Sequence, residues 1–119
     1  MWEYQIKVIR IIDGDTVDAR VDLGFYTHRN IRVRLNGIDT YETRTRDAEE
    51  KVKGFAAKAR LEELLEQADK VIMLSHGLDK FGRCLGSLYL EMPNQDRTLD
   101  VAQTLIDEGH GVPYHGGKR

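Results

Sequence analysis

Four short stretches of this 119-residue chain carry side chains that could do chemistry together. The first is Ile12-Asp13-Gly14-Asp15-Thr16. Asp-Gly is a favoured hairpin turn, because glycine tolerates positive φ and aspartate bonds its own backbone. That use does not account for a second aspartate where the next strand must leave the turn. The second stretch is Gly37-Ile38-Asp39-Thr40-Tyr41-Glu42. Its Asp, Thr and Glu could cap a following helix. They could equally supply the carboxylate and carbonyl oxygens that hard cations such as Ca²⁺ and Mg²⁺ prefer. Asp15, Asp39, the Thr40 carbonyl and Glu42 form such a set if the two turns meet at one end of the fold. The third is Arg34, five residues before Asp39 and close enough to lean into a site that Asp39 helps to build. The fourth is Asp79-Lys80-Phe81-Gly82-Arg83. Asp and Gly make a turn there, but a turn does not ask for arginine after the glycine. A guanidinium offers a planar fork of donors suited to phosphate. Nothing suits zinc: Cys84 is the single cysteine, and His110 and His115 sit in a glycine-rich tail where solvation is expected.

The elements that must position these residues are read from periodicity. Tyr4, Ile6 and Val8 alternate with Gln5 and Lys7 and run into an apolar stretch at 9–12, which predicts a strand. Val17, Ala19, Val21 and Leu23 alternate with Asp18, Arg20 and Asp22, predicting a second. Ile31, Val33 and Leu35 alternate with Arg32, Arg34 and Asn36, predicting a third with both arginines on the face opposite the apolar residues. From Ala48 the period changes: Val52, Phe55, Ala56, Ala59, Leu64, Leu65 and Ala68 recur at three and four, so a helix of several turns follows. Gly54 inside it costs about 1 kcal/mol against alanine, so the helix either carries that cost or starts after it. Residues 71–74 and 84–90 predict two more strands. A last helix is expected over about 99–108 on Ala102, Leu105 and Ile106, with Thr98 or Asp100 near its start and Gly109 as its C-terminal cap. Residues 116–119 are expected to fray. The order βββ-α-ββ-α, in one domain over 1–119, outlines an α+β protein built on a five-stranded barrel of the oligonucleotide-binding (OB-fold) type.

Apolar residues make up 40% of the chain and charged residues 32%. A highly charged chain of this size still buries a core without disulfides, and one cysteine excludes an intrachain bond. Eighteen bases against 20 acids give a net charge of −2, which argues against a general polyanion binder. The distribution is uneven. Five arginines face two acids between residues 26 and 46, and seven acids face four bases between 47 and 69. That fits a localised anion site, and it fits ordinary mixed surface charge as well. No apolar run approaches the roughly 18 residues of a membrane span. The first residues lack a basic patch followed by an apolar stretch, so no membrane partner and an intracellular location are expected.

Together the motifs resemble one family along most of the chain, the staphylococcal nuclease (thermonuclease-like) family. The resemblance rests on Ile-Asp-Gly-Asp-Thr at 12–16, Val-Arg-Leu followed by Gly-Ile-Asp-Thr-Tyr-Glu within 33–42, Asp-Lys-Phe-Gly-Arg at 79–83, and the late helix. It departs at Tyr41, where the family usually has proline, and at Phe81, where tyrosine is frequent. The segment between Leu74 and Asp79 is expected to be a shortened loop. The resemblance implies that Asp15, Asp39 and Thr40 hold Ca²⁺, that Glu42 positions or deprotonates water, and that Arg34 and Arg83 take the phosphoryl charge. Asp13 then supports the ligands from behind, Lys80 touches a terminal phosphate, and Tyr114 matches a base-stacking tyrosine. The implied function is a calcium-dependent nuclease acting on DNA and RNA with little sequence specificity and leaving 3′-phosphate ends. No obligate protein partner is expected, and the lack of an export signal, unlike secreted relatives, points to an intracellular or phage-encoded enzyme acting in a host cytoplasm. A non-catalytic OB-fold module for nucleic acid is the alternative, and a structural or interaction domain a third reading. The presence of all three carboxylates and both arginines favours the enzyme.

Overall fold

A computed structural model describes residues 2–93 and 98–114. The chain forms β1 (Trp2–Asp13), β2 (Thr16–Asp22), β3 (His28–Leu35), β4 (Ile38–Thr40), α1 (Ala48–Gln67), β5 (Lys70–Leu78), β6 (Cys84–Glu91), β7 (Thr98–Asp100), α2 (Val101–Asp107) and β8 (Gly111–Pro113). β1, β2, β3, β5 and β6 close into a five-stranded barrel. The open order β3-β2-β1-β5-β6 is joined at its ends by a parallel pairing of Val33–Leu35 with Cys84–Gly86. A register shift between Val8 and Arg10 leaves Ile9 unpaired with β2. Such bulges bend a strand and help a sheet to close.

Alternation explains the barrel. Val17, Ala19 and Val21 from β2 and Val33 and Leu35 from β3 are buried, while the residues between them point outward. Met73, Leu88 and Leu90 complete the inner wall. α1 closes one side with a single stripe, Gly54, Ala57, Leu61 and Leu64, and α2 adds Val101 and Leu105. Arg60 ties the two helices together through Glu108, with Nε donating to Oε1 at 2.7 Å.

α1 starts at Ala48, where the period changes, and continues through Gly54 without interruption. Other elements differ from the sequence reading. The expected shortened loop before Asp79 is strand, since β5 runs on to Leu78. The last helix is shorter than expected, because Thr98–Asp100 pair with Glu91, Leu90 and Tyr89 as a strand. Asp100 caps the helix by accepting from the Gln103 N–H at 3.2 Å, and Gly109 closes it at φ 81°. β4 and β8 form a separate two-stranded ribbon that periodicity did not indicate. Residues 116–119 and His115 lie outside the described residues. Among the described residues no helix is long and apolar enough to cross a membrane.

Candidate active site

The ends of five segments meet in one cleft of about 730 Å³. It is lined by all nine residues singled out from sequence: Asp13, Asp15, Arg34, Asp39, Thr40, Glu42, Lys80, Arg83 and Tyr114. The β1–β2 turn supplies Asp13 and Asp15, the end of β3 supplies Arg34, and β4 with its following loop supplies Asp39, Thr40 and Glu42. The turn before β6 brings Lys80 and Arg83, and Tyr114 directly follows β8.

Asp15 is buried and doubly engaged. Its Oδ1 accepts from the Thr16 hydroxyl and its Oδ2 from the Thr40 backbone N–H, both at 3.0 Å. The second bond staples the β1–β2 turn to β4 and so brings Asp15 beside Asp39. Arg34 lies between them, with Nη2 3.6 Å from Asp15 Oδ2 and 3.5 Å from Asp39 Oδ1. Its Nη1 donates to the carbonyls of Leu35 and Ile38 at 2.8 and 2.7 Å, so the guanidinium is oriented by backbone. Its side chain is 11% exposed. Strand alternation alone would have left Arg34 on an outer stripe like Arg32, which pairs with Asp18 at 2.8 Å.

The turn before β6 is built around Asp79. Its Oδ1 accepts from the backbone N–H groups of Phe81 and Arg83, both at 2.9 Å, and its Oδ2 accepts from Arg83 Nε at 2.7 Å. Burial pushes this carboxyl up, but the Arg83 backbone N–H, its guanidinium and the Phe81 N–H outweigh that and hold it below the ordinary value. Arg83 is thus held through Nε, and it lines the cleft. Phe81 is exposed beside both neighbouring cations, 5.2 Å from Lys80 Nζ and 5.4 Å from Arg83 Cζ.

Glu42 sits exposed on the loop between β4 and α1. It does not cap the helix. Asp47 does, accepting from the N–H groups of Glu49 and Glu50 at 3.0 and 3.3 Å. Instead the loop is pinned by Asp13, whose Oδ1 accepts from the Thr43 hydroxyl at 2.6 Å and from its N–H at 3.2 Å. The Asp13 carboxylate therefore fixes the segment that carries Glu42. Tyr41, with Lys53 Nζ 5.1 Å from its ring, packs alongside.

Two glycines make this assembly possible, for reasons the sequence did not disclose. Gly14 was expected to serve a turn through positive φ, and it has none. A Cβ there would fall 2.8 Å from Ala57 Cβ and 3.1 Å from Thr40 Oγ1, so glycine is required by close approach to α1 and β4. Gly54 is the seat of the Glu42 loop: a Cβ would lie 2.6 Å from the Glu42 carbonyl carbon. The one signal for Gly54 in the sequence is its oddity in mid-helix. Thr43 left no signal at all.

Tyr114 arrives by the ribbon. β8 pairs Val112 with Asp39, the Tyr114 N–H donates to the Gly37 carbonyl at 3.0 Å, and its ring centroid lies 5.8 Å from Arg34 Cζ.

The lining carries five acidic side chains against three basic ones, an excess that calls for a cation before a polyanion can approach. Among the described residues no three His, Cys, Asp or Glu side chains are arranged to hold a metal by themselves. Two carboxylates converging on one guanidinium nitrogen, with backbone carbonyls nearby, form a hard-oxygen donor set of low charge. That set suits a Ca²⁺ or Mg²⁺ ion completed by water. The Thr40 hydroxyl is buried beside it without a hydrogen-bond partner.

A closed five-stranded barrel with helices, carrying carboxylates and arginines at one cleft, defines an α+β protein of the oligonucleotide-binding type. The family described as staphylococcal nuclease homologue matches residues 32–117, and the chain belongs to that family. Protein ParB of Escherichia coli is 31% identical over 120 residues, covering 96% of this chain and 60% of ParB. Micrococcal nuclease of Shigella flexneri is 30% identical over 115 residues, covering 94% of this chain and 59% of its own length. The chain thus spans about three fifths of the length of these curated relatives.

Proposed function

We propose that this protein is a calcium-dependent nuclease that hydrolyses phosphodiester bonds of DNA and RNA and leaves 3′-phosphate ends. The observation that carries the reading is the convergence of Asp15, Asp39, Arg34, Glu42 and Arg83, from four separate segments, on one cleft. Family membership and the micrococcal nuclease likeness support it.

Hydrolysis must align water with the leaving oxygen and spread negative charge over a five-coordinate phosphorus. Arg34 and Arg83 offer guanidinium donors already oriented by neighbouring groups, so no reorganisation is needed as charge develops. Such preorganisation is usually the largest catalytic contribution. Glu42, exposed toward the cleft, accepts a hydrogen bond or a proton from the attacking water. Lys80 meets a further phosphate, and Tyr114 offers a ring to a base. Asp15, Asp39 and the Thr40 carbonyl would hold Ca²⁺, which when bound supplies Lewis-acid polarisation and charge neutralisation. Contacts to phosphate carry no base information, so little sequence specificity follows.

Incubation with single-stranded DNA, with added Ca²⁺ or with excess chelator, tests this reading. Cleavage restricted to the Ca²⁺ arm, with phosphate at the new 3′ ends, is expected. Mg²⁺ demands tighter octahedral geometry and should support little turnover. Full activity in chelator would refute the assignment of the cation site.

A further inference from the structure

We propose that the outer face of the β2–β3 hairpin, ending in Phe25 and Tyr26, is a second contact for single-stranded nucleic acid and forms a track leading out of the cleft. The inference rests on the nuclease reading and extends it to a surface remote from the chemistry. The β2–β3 register sets four outward rows in succession: Thr16 with Arg34, Asp18 with Arg32, Arg20 with Asn30, and Asp22 with His28. The first row lies in the cleft. The last is six residues away, about 20 Å at the usual rise.

Two features of this face run against the rules for a stable hairpin. Lys7 of β1 is directly opposite Arg20 of β2, and both are exposed. Like charges directly opposite are destabilising, and a phosphate between them relieves the repulsion. At the tip, Thr27 N–H donates to Gly24 O at 2.9 Å, and the two residues between are Phe25 and Tyr26 at φ 54° and 62°. A turn with two positive φ values favours Asn-Gly, and bulky residues there are outliers. Both rings are nearly bare, at 98% and 100% exposure. A second bond, Leu23 N–H to Thr27 O at 2.9 Å, fixes the display. Aromatic faces for stacking and cations along the strand are the two components of sequence-tolerant single-strand binding. One barrel of this type covers roughly 4–16 nucleotides, enough to reach from cleft to tip.

The test is equilibrium binding in chelator, where no turnover occurs, of a 16-nucleotide single strand and of a trinucleotide. The double variant Phe25→Asn, Tyr26→Gly installs the favoured turn pair. It should raise the thermal midpoint, weaken the 16-mer by about tenfold or more, and leave the trinucleotide unchanged. Arg20→Gln should lower the slope of log affinity against log salt for the 16-mer by roughly 0.7. Unchanged 16-mer affinity in the double variant overturns the proposal, as does equal weakening at both lengths. A wild type that self-associates and becomes monomeric in the double variant, with 16-mer affinity kept, assigns the tip to a second copy instead. A wild type that binds and, with Ca²⁺, cleaves neither length refutes the nuclease reading itself.

Discussion

Gly54→Ala separates helix propensity from the needs of the cleft. In a bare helix the change gains about 1 kcal/mol. Here the new methyl would lie 2.6 Å from the Glu42 carbonyl carbon and 3.0 Å from Thr43 N. Carbon atoms prefer about 3.5–4.0 Å, so the loop must retreat by about 1 Å. Retreat strains or breaks the bonds from Thr43 to Asp13 at 2.6 and 3.2 Å. Hydrogen bonds to a charged group contribute about 1.5–3 kcal/mol, so the net loss is about 1 kcal/mol and the thermal midpoint falls by roughly 4 °C. The rate should suffer more, since a misplacement of about 1 Å at a reacting group can cost 10²-fold. The assay pairs calorimetry with turnover on single-stranded DNA, the calorimetry repeated in an Asp13→Ala background that removes both bonds. With the tether already gone, Gly54→Ala should reveal its helix gain and stabilise by about 1 kcal/mol, a sign reversal that measures the coupling. A single variant that melts higher than wild type and turns over at the wild-type rate would refute the idea that Gly54 seats the Glu42 loop.

Glu42→Gln should lower the rate by roughly 10²-fold or more and leave the thermal midpoint unmoved, because Asp47 caps α1. A melting loss without a rate loss would return Glu42 to a structural role. Lysine at Arg34 or Arg83 should cost about 2–4 kcal/mol in the barrier. Ammonium cannot reproduce the backbone-oriented fork of Arg34 or the edge-on grip of Asp79 on Arg83. Arg60→Lys, on the far helices, should keep the wild-type rate, and equal rates for all three would mean that the arginines merely attract the polyanion. Glu108 is held below its ordinary value of 4.5 by its hydrogen bonds from Arg60. A lowered carboxyl stabilises fully above the unfolded value and loses that contribution as pH falls through the folded one. Glu108→Gln should therefore be less stable than wild type at pH 7, by at most about 1 kcal/mol for so exposed a pair, with the difference shrinking as pH falls below 4.5. Urea melts across that range decide it.

The barrel was legible because β2 and β3 each have one dry face, and period-two alternation records that directly. α1 was legible because 20 residues give periodicity room to show. β4 and β8, three residues each, are too short to carry a period, and Thr40 pairs with Gly111 across a separation with no local signature. That ribbon carries Asp39, Thr40 and Tyr114 into the cleft, so the residues were recognisable while the means of assembling them was not. The capping alternative for Asp39 and Glu42 failed for a similar reason. Residues 41–47 are held as a loop by Asp13 and Gly54, both distant in sequence, and the helix can begin only where Asp47 caps it.

Arg34 shows why the site cannot be read one residue at a time. Asp15 and Asp39 repel one another, and the Thr40 N–H that draws Asp15 toward β4 makes the repulsion worse. Placing Arg34 Nη2 within 3.6 Å of both offsets that cost. The same guanidinium is anchored through Nη1 to two carbonyls, so it cannot swing away to satisfy either carboxylate alone. A cation drawn in by the acidic excess would meet two carboxylates already adjacent, and a phosphate would meet an arginine already aimed. The arginine thus stabilises the fold in the geometry that the proposed reaction requires, and the barrel's β3 terminus is where the two demands coincide.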